Sequence, residues 1–140
     1  MIITIIIRNI FLGFLSWLIP FTFSFFFYDR NGELLISYNL FKSIMLVFSS
    51  VDGCYLLYRH FKIIGNHYIL NGFITGFSWF AINIIMDTIV LIPIMKTSFT
   101  NYFIEIGIRD TIILVMSITI GYLLEHKQLG TKKINNTKVL

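Results

Sequence analysis

The sequence predicts an all-α membrane protein, built as an antiparallel, up-down-up-down bundle of four transmembrane helices. Three observations carry this. Apolar stretches at about 10–28, 34–58, 69–95 and 102–124 fill most of the 140 residues, and crossing a bilayer takes about 20 such residues at 1.5 Å rise each. Charged residues make up only 13% of the chain against 56% hydrophobic, with a mean hydropathy of +0.81, where a soluble domain carries about a quarter charged residues. The segments between the stretches are short, and short loops force consecutive helices to lie side by side and antiparallel.

The first stretch reads as an anchor helix. Arg8 precedes it, but the apolar run continues past Pro20 to Tyr28 with no small-x-small cleavage site, so it is too long for the core of a signal peptide. The loop Asp29-Arg30-Asn31-Gly32-Glu33 contains Asn-Gly, a tight-turn signal. The second stretch contains the single cysteine, Cys54, which excludes an intramolecular disulfide and reads as a small buried apolar residue. The segment 125–140 is a polar tail with Lys127, Lys132, Lys133 and Lys138. These suit contact with anionic head groups of the lipid bilayer. The chain forms one domain.

Loop charges give the orientation. With four spans, Arg8, Arg59, Lys62, Lys127, Lys132, Lys133 and Lys138 fall on one side, against Arg30 and Lys96 on the other. The excess places both termini in the cytoplasm, with the chain in the plasma (inner) membrane of a prokaryote. The same distribution excludes nucleic acid as a partner, because the basic residues mark helix ends and not a binding face. A homo-oligomer or a membrane-protein partner stays open.

Lipid-facing positions favour large apolar side chains, so small and polar residues should turn toward other helices. Each stretch carries such a stripe at helical spacing. In the first it is Asn9, Gly13, Ser16, Pro20 and Ser24; in the second Lys42, Ser49, Asp52 and Arg59. In the third it is Gly72, Gly76, Trp79, Asn83 and Asp87; in the fourth Gly107, Asp110, Leu114, Ser117 and Gly121.

Depth then sorts the charges. Lys42, Asp87, Arg109 and Asp110 lie seven or eight residues into their helices, about 10–12 Å below the outer edge. Glu105 sits nearer the surface. A charge at bilayer centre costs about 2.5–3.5 kcal/mol on insertion scales, and pairing at equal depth relieves that cost. The expectation is a buried polar cluster in which Lys42 pairs with Asp87 or Asp110, and Arg109 with Glu105 or Asp87. Asn83 lies one turn below. These three acids and two bases leave a formal excess of one negative charge. Asp52 stands apart in the inner half, with Arg8 or Arg59 as its nearest candidate partners.

No residue is assigned a catalytic role. No phosphate loop, nucleophile elbow or Cys-x-x-Cys pair occurs, and His60, His67 and His126 fit no zinc spacing, so no metal or cofactor is expected. Asp87 and Asp110 at equal depth raise the possibility of a shared-proton aspartyl dyad. Lys42 and Arg109 nearby would keep both carboxylates ionised, which opposes acid catalysis.

Asn83-x-x-x-Asp87, Leu91-Ile92-Pro93, the run from Asn101-Tyr102-Phe103-Ile104-Glu105 through Ile106-Gly107-Ile108-Arg109, and Gly121-Tyr122 together resemble small four-span membrane proteins of bacteria and archaea with no assigned activity. Asp110-Thr111 departs from the aromatic that follows the arginine in that pattern. The resemblance covers about the last third of the chain. It implies the four-span topology and no ligand or catalytic residue.

Three function classes follow. The first is a non-enzymatic accessory or assembly subunit, with the cluster as architecture. The second is a small oligomeric transporter or channel whose path is lined by Lys42, Asp87, Arg109 and Asp110. The third is an intramembrane enzyme using Asp87 and Asp110. A cluster closed by pairing favours the first; one that opens to water favours the second.

Overall fold

The computed structural model describes residues 2–137, with the side chains of residues 3–131. It is all-helical. No β-strand forms among the described residues, apart from one isolated antiparallel bridge between Tyr28 and Leu34. Three helices are long and apolar enough to cross a membrane: Ile3–Phe27, Tyr38–Phe61 and Tyr68–Met95.

Helix α1 (Ile2–Ser24) runs through Pro20 and tightens into a 3₁₀ turn at Phe25–Phe27. The chain then becomes extended at Tyr28. Asp29 makes the turn: its Oδ1 accepts from the backbone N–H groups of Asn31 and Glu33, both at 2.8 Å. Gly32, at φ 82°, takes the left-handed conformation that glycine adopts without steric cost. This is the turn expected from Asn-Gly.

Helix α2 (Tyr38–Phe61) is capped by the Ser37 hydroxyl, which accepts from Leu40 N–H at 3.4 Å. Helix α3 (Tyr68–Met86) follows a left-handed residue, His67. Its cap comes from far away in sequence. Glu125 Oε2 accepts from Tyr68 N–H at 2.7 Å, placing a carboxylate at the positive end of the α3 dipole.

After Met86 the helix widens into a π turn at Asp87–Leu91, then resumes as α4 (Ile92–Met95). Pro93 lies just beyond the wide turn. Having no N–H, it cannot bond back to the preceding turn. Lys96, at φ 50°, ends the segment. Ser98 caps the short α5 (Phe99–Tyr102), a second π turn spans Phe103–Gly107, and α6 (Ile108–Thr137) follows. A Cβ on Gly107 would stand 2.7 Å from the Phe103 ring, so any larger residue where the second π turn closes has to displace that ring.

Several boundaries differ from expectation: α2 runs Tyr38–Phe61 in place of 34–58, so Lys42 lies four residues into its helix and not eight, and the last helical segment starts at Phe99 in place of 102. Helix α1 begins eight residues before 10, and the segment 125–137 continues α6 instead of forming a loose tail. Glu125, Lys127, Gln128 and Leu129 are all good helix formers despite their polarity. Lys138, counted above for orientation, lies outside the described residues.

The helices meet along the small-residue stripes. Asn9, Gly13, Ser16 and Pro20 of α1 are buried, as are Gly72, Gly76, Trp79, Asn83 and Asp87, and Gly107, Ser117 and Gly121. The α3–α6 seam leaves no room for side chains. A Cβ on Gly72 would stand 2.8 Å from the Ser117 carbonyl oxygen, and one on Gly121 would strike the Tyr68 carbonyl. Ser117 Oγ donates to the Gly72 carbonyl at 2.9 Å. Such close approach supplies the dispersion and hydrogen bonding that hold helices together where both solvent and side chains are apolar.

Cross-links fix which ends lie together. Arg8 reaches Arg59, Glu125 reaches Tyr68, and Gln128 reaches Gly65. We call this the terminal end. At the other, the hairpin end, Tyr38 and Lys42 reach Glu105. A contiguous core of Leu12, Leu56, Leu57, Phe61, Ile64, Trp79 and Ile113 fills the terminal half. Cys54 is exposed, not buried as expected; its Sγ lies 3.4 Å from Met116 Sδ.

Candidate functional site: a polar cavity at the hairpin end

Where the terminal half is packed, the hairpin half leaves a partly open cavity of about 680 Å³. Asp87, Asp110, Arg109, Lys42 and Asn83 all line it, with Asp29 and Arg30 from the first loop. Of the six residues expected in the cluster, these five line one space and Glu105 does not. Their pairing differs from expectation.

Among the described residues, the one salt bridge is Lys42 Nζ to Glu105 Oε2 at 2.9 Å. Glu105 also accepts from the Tyr38 hydroxyl at 3.1 Å, and the Lys42 ammonium sits 4.1 Å above the centre of the Tyr38 ring. Lys42 was expected on Asp87 or Asp110. Its long stem instead carries the charge outward to a half-exposed acid, where less hydration is lost. Arg109 was expected on Glu105 or Asp87 and makes no salt bridge among the described residues.

Asp87 is 7% exposed and is held by two aromatic donors. Trp17 Nε1 donates to Oδ1 and the Tyr102 hydroxyl to Oδ2, each at 2.6 Å. Short bonds to a carboxylate are the strong class of hydrogen bond. Asp87 opens the first π turn, and Tyr102 immediately precedes the second. Wide turns of this kind concentrate at functional sites. Asp110 faces the same Tyr102 hydroxyl from α6, yet its buried Oδ2 has no hydrogen-bond partner.

Asn83 forms the cavity floor. Its amide donates to the Ser16 hydroxyl at 3.1 Å and to the Trp79 carbonyl at 2.8 Å. Below it Trp79 Nε1 donates to Asn9, both to Oδ1 and to the carbonyl, at 2.9 Å.

The second expected grouping, Asp52 with Arg8 or Arg59, does not form. Arg8 Nη2 donates to the Arg59 carbonyl at 2.7 Å, while Asp52 Oδ2 is buried without a partner. Arg59 is exposed. His60 is 1% exposed and meets Thr75 Oγ1 at 3.1 Å through Nε2. No group of three or more His, Cys, Asp or Glu side chains able to hold a metal ion occurs among the described residues.

Sequence reasoning missed Trp17 and Tyr102 as the partners of Asp87, and Glu125 as the cap of α3. A signal for the first two was present: a buried indole or phenol needs a polar partner for its N–H or O–H. No family model, curated protein or solved structure matches the chain.

Proposed function

We propose that this chain is a multi-pass protein of the inner membrane with four spans, both termini cytoplasmic, and that it binds a cationic group in the hairpin-end cavity as part of a small transporter or channel. The fourth span is the helical segment from Phe99 onward. Its charges, Glu105, Arg109 and Asp110, set it apart from the three more apolar helices. Contact registers support the alternating topology. Asn9, Ser16 and Trp17 meet Trp79, Asn83 and Asp87 in rising order, so α1 and α3 run the same way. Tyr68 and Gly72 meet Glu125 and Ser117 in falling order, so α3 and α6 run oppositely. The positive-inside rule puts the hairpin end outside.

The observation that carries the functional reading is the open cluster. Among the described residues no base closes a salt bridge to Asp87 or Asp110, and both face a cavity large enough for a small solute. Ion pairing that served only to fix helix register would bring the opposite charges together, since an unpaired buried charge is costly. Intramembrane acids left facing a cavity are the usual mark of a solute or ion path. An accessory role with the cluster as pure architecture fits this geometry less well. An intramembrane aspartyl enzyme fits less well again, because Trp17 and Tyr102 both tie up Asp87.

The test is water access. With Cys54 replaced by alanine, Ser49→Cys on the cavity wall should react with a membrane-impermeant thiol reagent added from the hairpin side and not from the terminal side. No reaction from either side, in protein that is folded and inserted, would overturn the reading.

A further inference from the structure

The chemistry of the cavity wall narrows the class of cation, on the reading just proposed. Charge comes first. Lys42 is neutralised by Glu105 at 2.9 Å. Asp29 and Arg30 at the mouth cancel formally. Counted formally, Asp87 and Asp110 then face Arg109 among the described lining residues, an excess of one acid over bases. A single positive charge would balance it.

The rest of the wall mixes aromatic with aliphatic side chains, among them Met45, Leu91 and Ile94. Trp17, Phe21, Phe25, Tyr28, Tyr38 and Phe41 all line the cavity. Trp17 and Phe21 stack with centroids 4.7 Å apart, and Phe25 meets Phe21 edge-on at 5.1 Å. Ring faces attract organic cations through their quadrupole and accept alkyl groups that a hydrated metal ion lacks. The described residues also offer no metal-binding group of three acids, histidines or cysteines. A volume of about 680 Å³ falls in the usual range for sites of drug-sized ligands, roughly 300–1,000 Å³.

The protein already holds one ammonium this way. Lys42 Nζ rests 4.1 Å above the Tyr38 ring and 2.9 Å from Glu105 at the cavity rim. The deeper wall brings the same two kinds of group, the aromatics Trp17 and Phe21 and the acids Asp87 and Asp110, into one cavity. Asp87 is fixed in place by its two donors, whereas Asp110 has an oxygen with no partner. Asp110 is therefore the acid that a ligand charge would satisfy.

We propose that the cavity binds one organic ammonium ion, its charge set against Asp110 and Asp87 and its hydrocarbon groups against the Trp17–Phe21 wall. The probe is benzyltrimethylammonium, titrated calorimetrically into the full chain in nanodiscs. Its uncharged isostere, neopentylbenzene, and sodium ion at matched ionic strength serve as comparisons.

The expected result is saturable one-to-one binding of the ammonium. Sodium should not displace it, and the isostere should bind more weakly. Asp110→Asn should weaken binding by more than about tenfold, because a charge pair in a poorly hydrated site is lost. Phe21→Leu, which leaves every charge in place, should weaken it by about threefold. Equal binding of the isostere, displacement by sodium, or unchanged affinity in folded Asp110→Asn and Phe21→Leu would each overturn the proposal. No ammonium binding together with a reactive Ser49→Cys would overturn the proposal and leave the open-cavity reading standing. No ammonium binding and an unreactive Ser49→Cys would remove both.

Discussion

The two halves of this helical assembly use the same residue types in opposite ways. In the terminal half, small residues remove space. Gly72, Gly76, Ser117 and Gly121 let α3 and α6 touch along their backbones, and Leu12, Leu56, Leu57, Phe61 and Trp79 fill what remains. Trp79 bonds to Asn9 and His60 to Thr75 there, although Asp52 Oδ2, Arg8 Nε and His60 Nδ1 are buried without a partner among the described residues. In the hairpin half the helices widen through two π turns and leave a cavity walled by Asp87, Asp110 and Arg109. The lesson is a division of labour. Packing in one half provides the stability that the other half gives up to keep a cavity open. Sites that bind or react commonly break the rules of good packing and rely on the rest of the fold for support.

That contrast can be broken most severely at the seam. Gly121→Leu forces a side chain into the Tyr68 carbonyl, where neither backbone has room to give. Overpacking of a tight site costs about 1–3 kcal/mol and occasionally more, and contact with rigid backbone puts this position at or above that range. The expected outcome is loss of monodisperse protein in detergent, read by size-exclusion chromatography. Normal elution and an unchanged melting temperature would show that the seam is looser than it looks.

The next effect is at the boundary between the halves. Asp87→Leu leaves Trp17 Nε1 and the Tyr102 hydroxyl buried without an acceptor. Each orphaned group costs about 1–3 kcal/mol, so the substitution should destabilise by about 2–6 kcal/mol. Asp87→Asn keeps an acceptor for Trp17 and offers its own N–H to the Tyr102 oxygen, so it should cost much less. Thermal unfolding of the two variants side by side reads the difference. Equal losses would mean that the aromatic donors are not what holds Asp87.

The smallest effect lies outside the helices. Asp29 is half-buried, and the backbone N–H groups of Glu33 and Asn31 hold its carboxyl below the usual carboxylate range. A depressed folded value means that the turn gains stability above the unfolded value of about 3.9 and loses it as pH falls through the folded one. The amide resonances of Asn31 and Glu33 should therefore titrate with a midpoint below about 3.9. A midpoint at or above that value would contradict the turn geometry. No change is expected between pH 6 and 8.

Much of this architecture was legible in the sequence. The apolar stretches became helices, the Asn31-Gly32 turn formed where its composition placed it, and the small faces of α1, α3 and α6 are buried. Lipid imposes these features through composition and spacing alone. The pairing of charges was not legible. Depth along a helix says which groups can meet, but not which rotamer a four-carbon lysine stem adopts, and Lys42 reached outward to Glu105. Nor does a list of acids and bases include the neutral donors Trp17 and Tyr102, which captured Asp87. The cavity itself is a gap between helices, and a gap leaves no residue pattern to read. Glu125 was assigned to a tail because its neighbours are polar, and only the fold shows it capping α3 across 57 positions of sequence.

The central claim is that the hairpin-end charges are held open for a ligand and not arranged to support the fold. Thermal unfolding of Asp110→Asn against the unaltered chain, both without ligand, tests it most directly. If Asp110 is an unpaired acid on a cavity wall, removing its charge leaves the melting temperature equal or raised. A fall equivalent to about 3–5 kcal/mol, the cost of breaking a buried ion pair, would show that Asp110 is a structural partner and contradict the account.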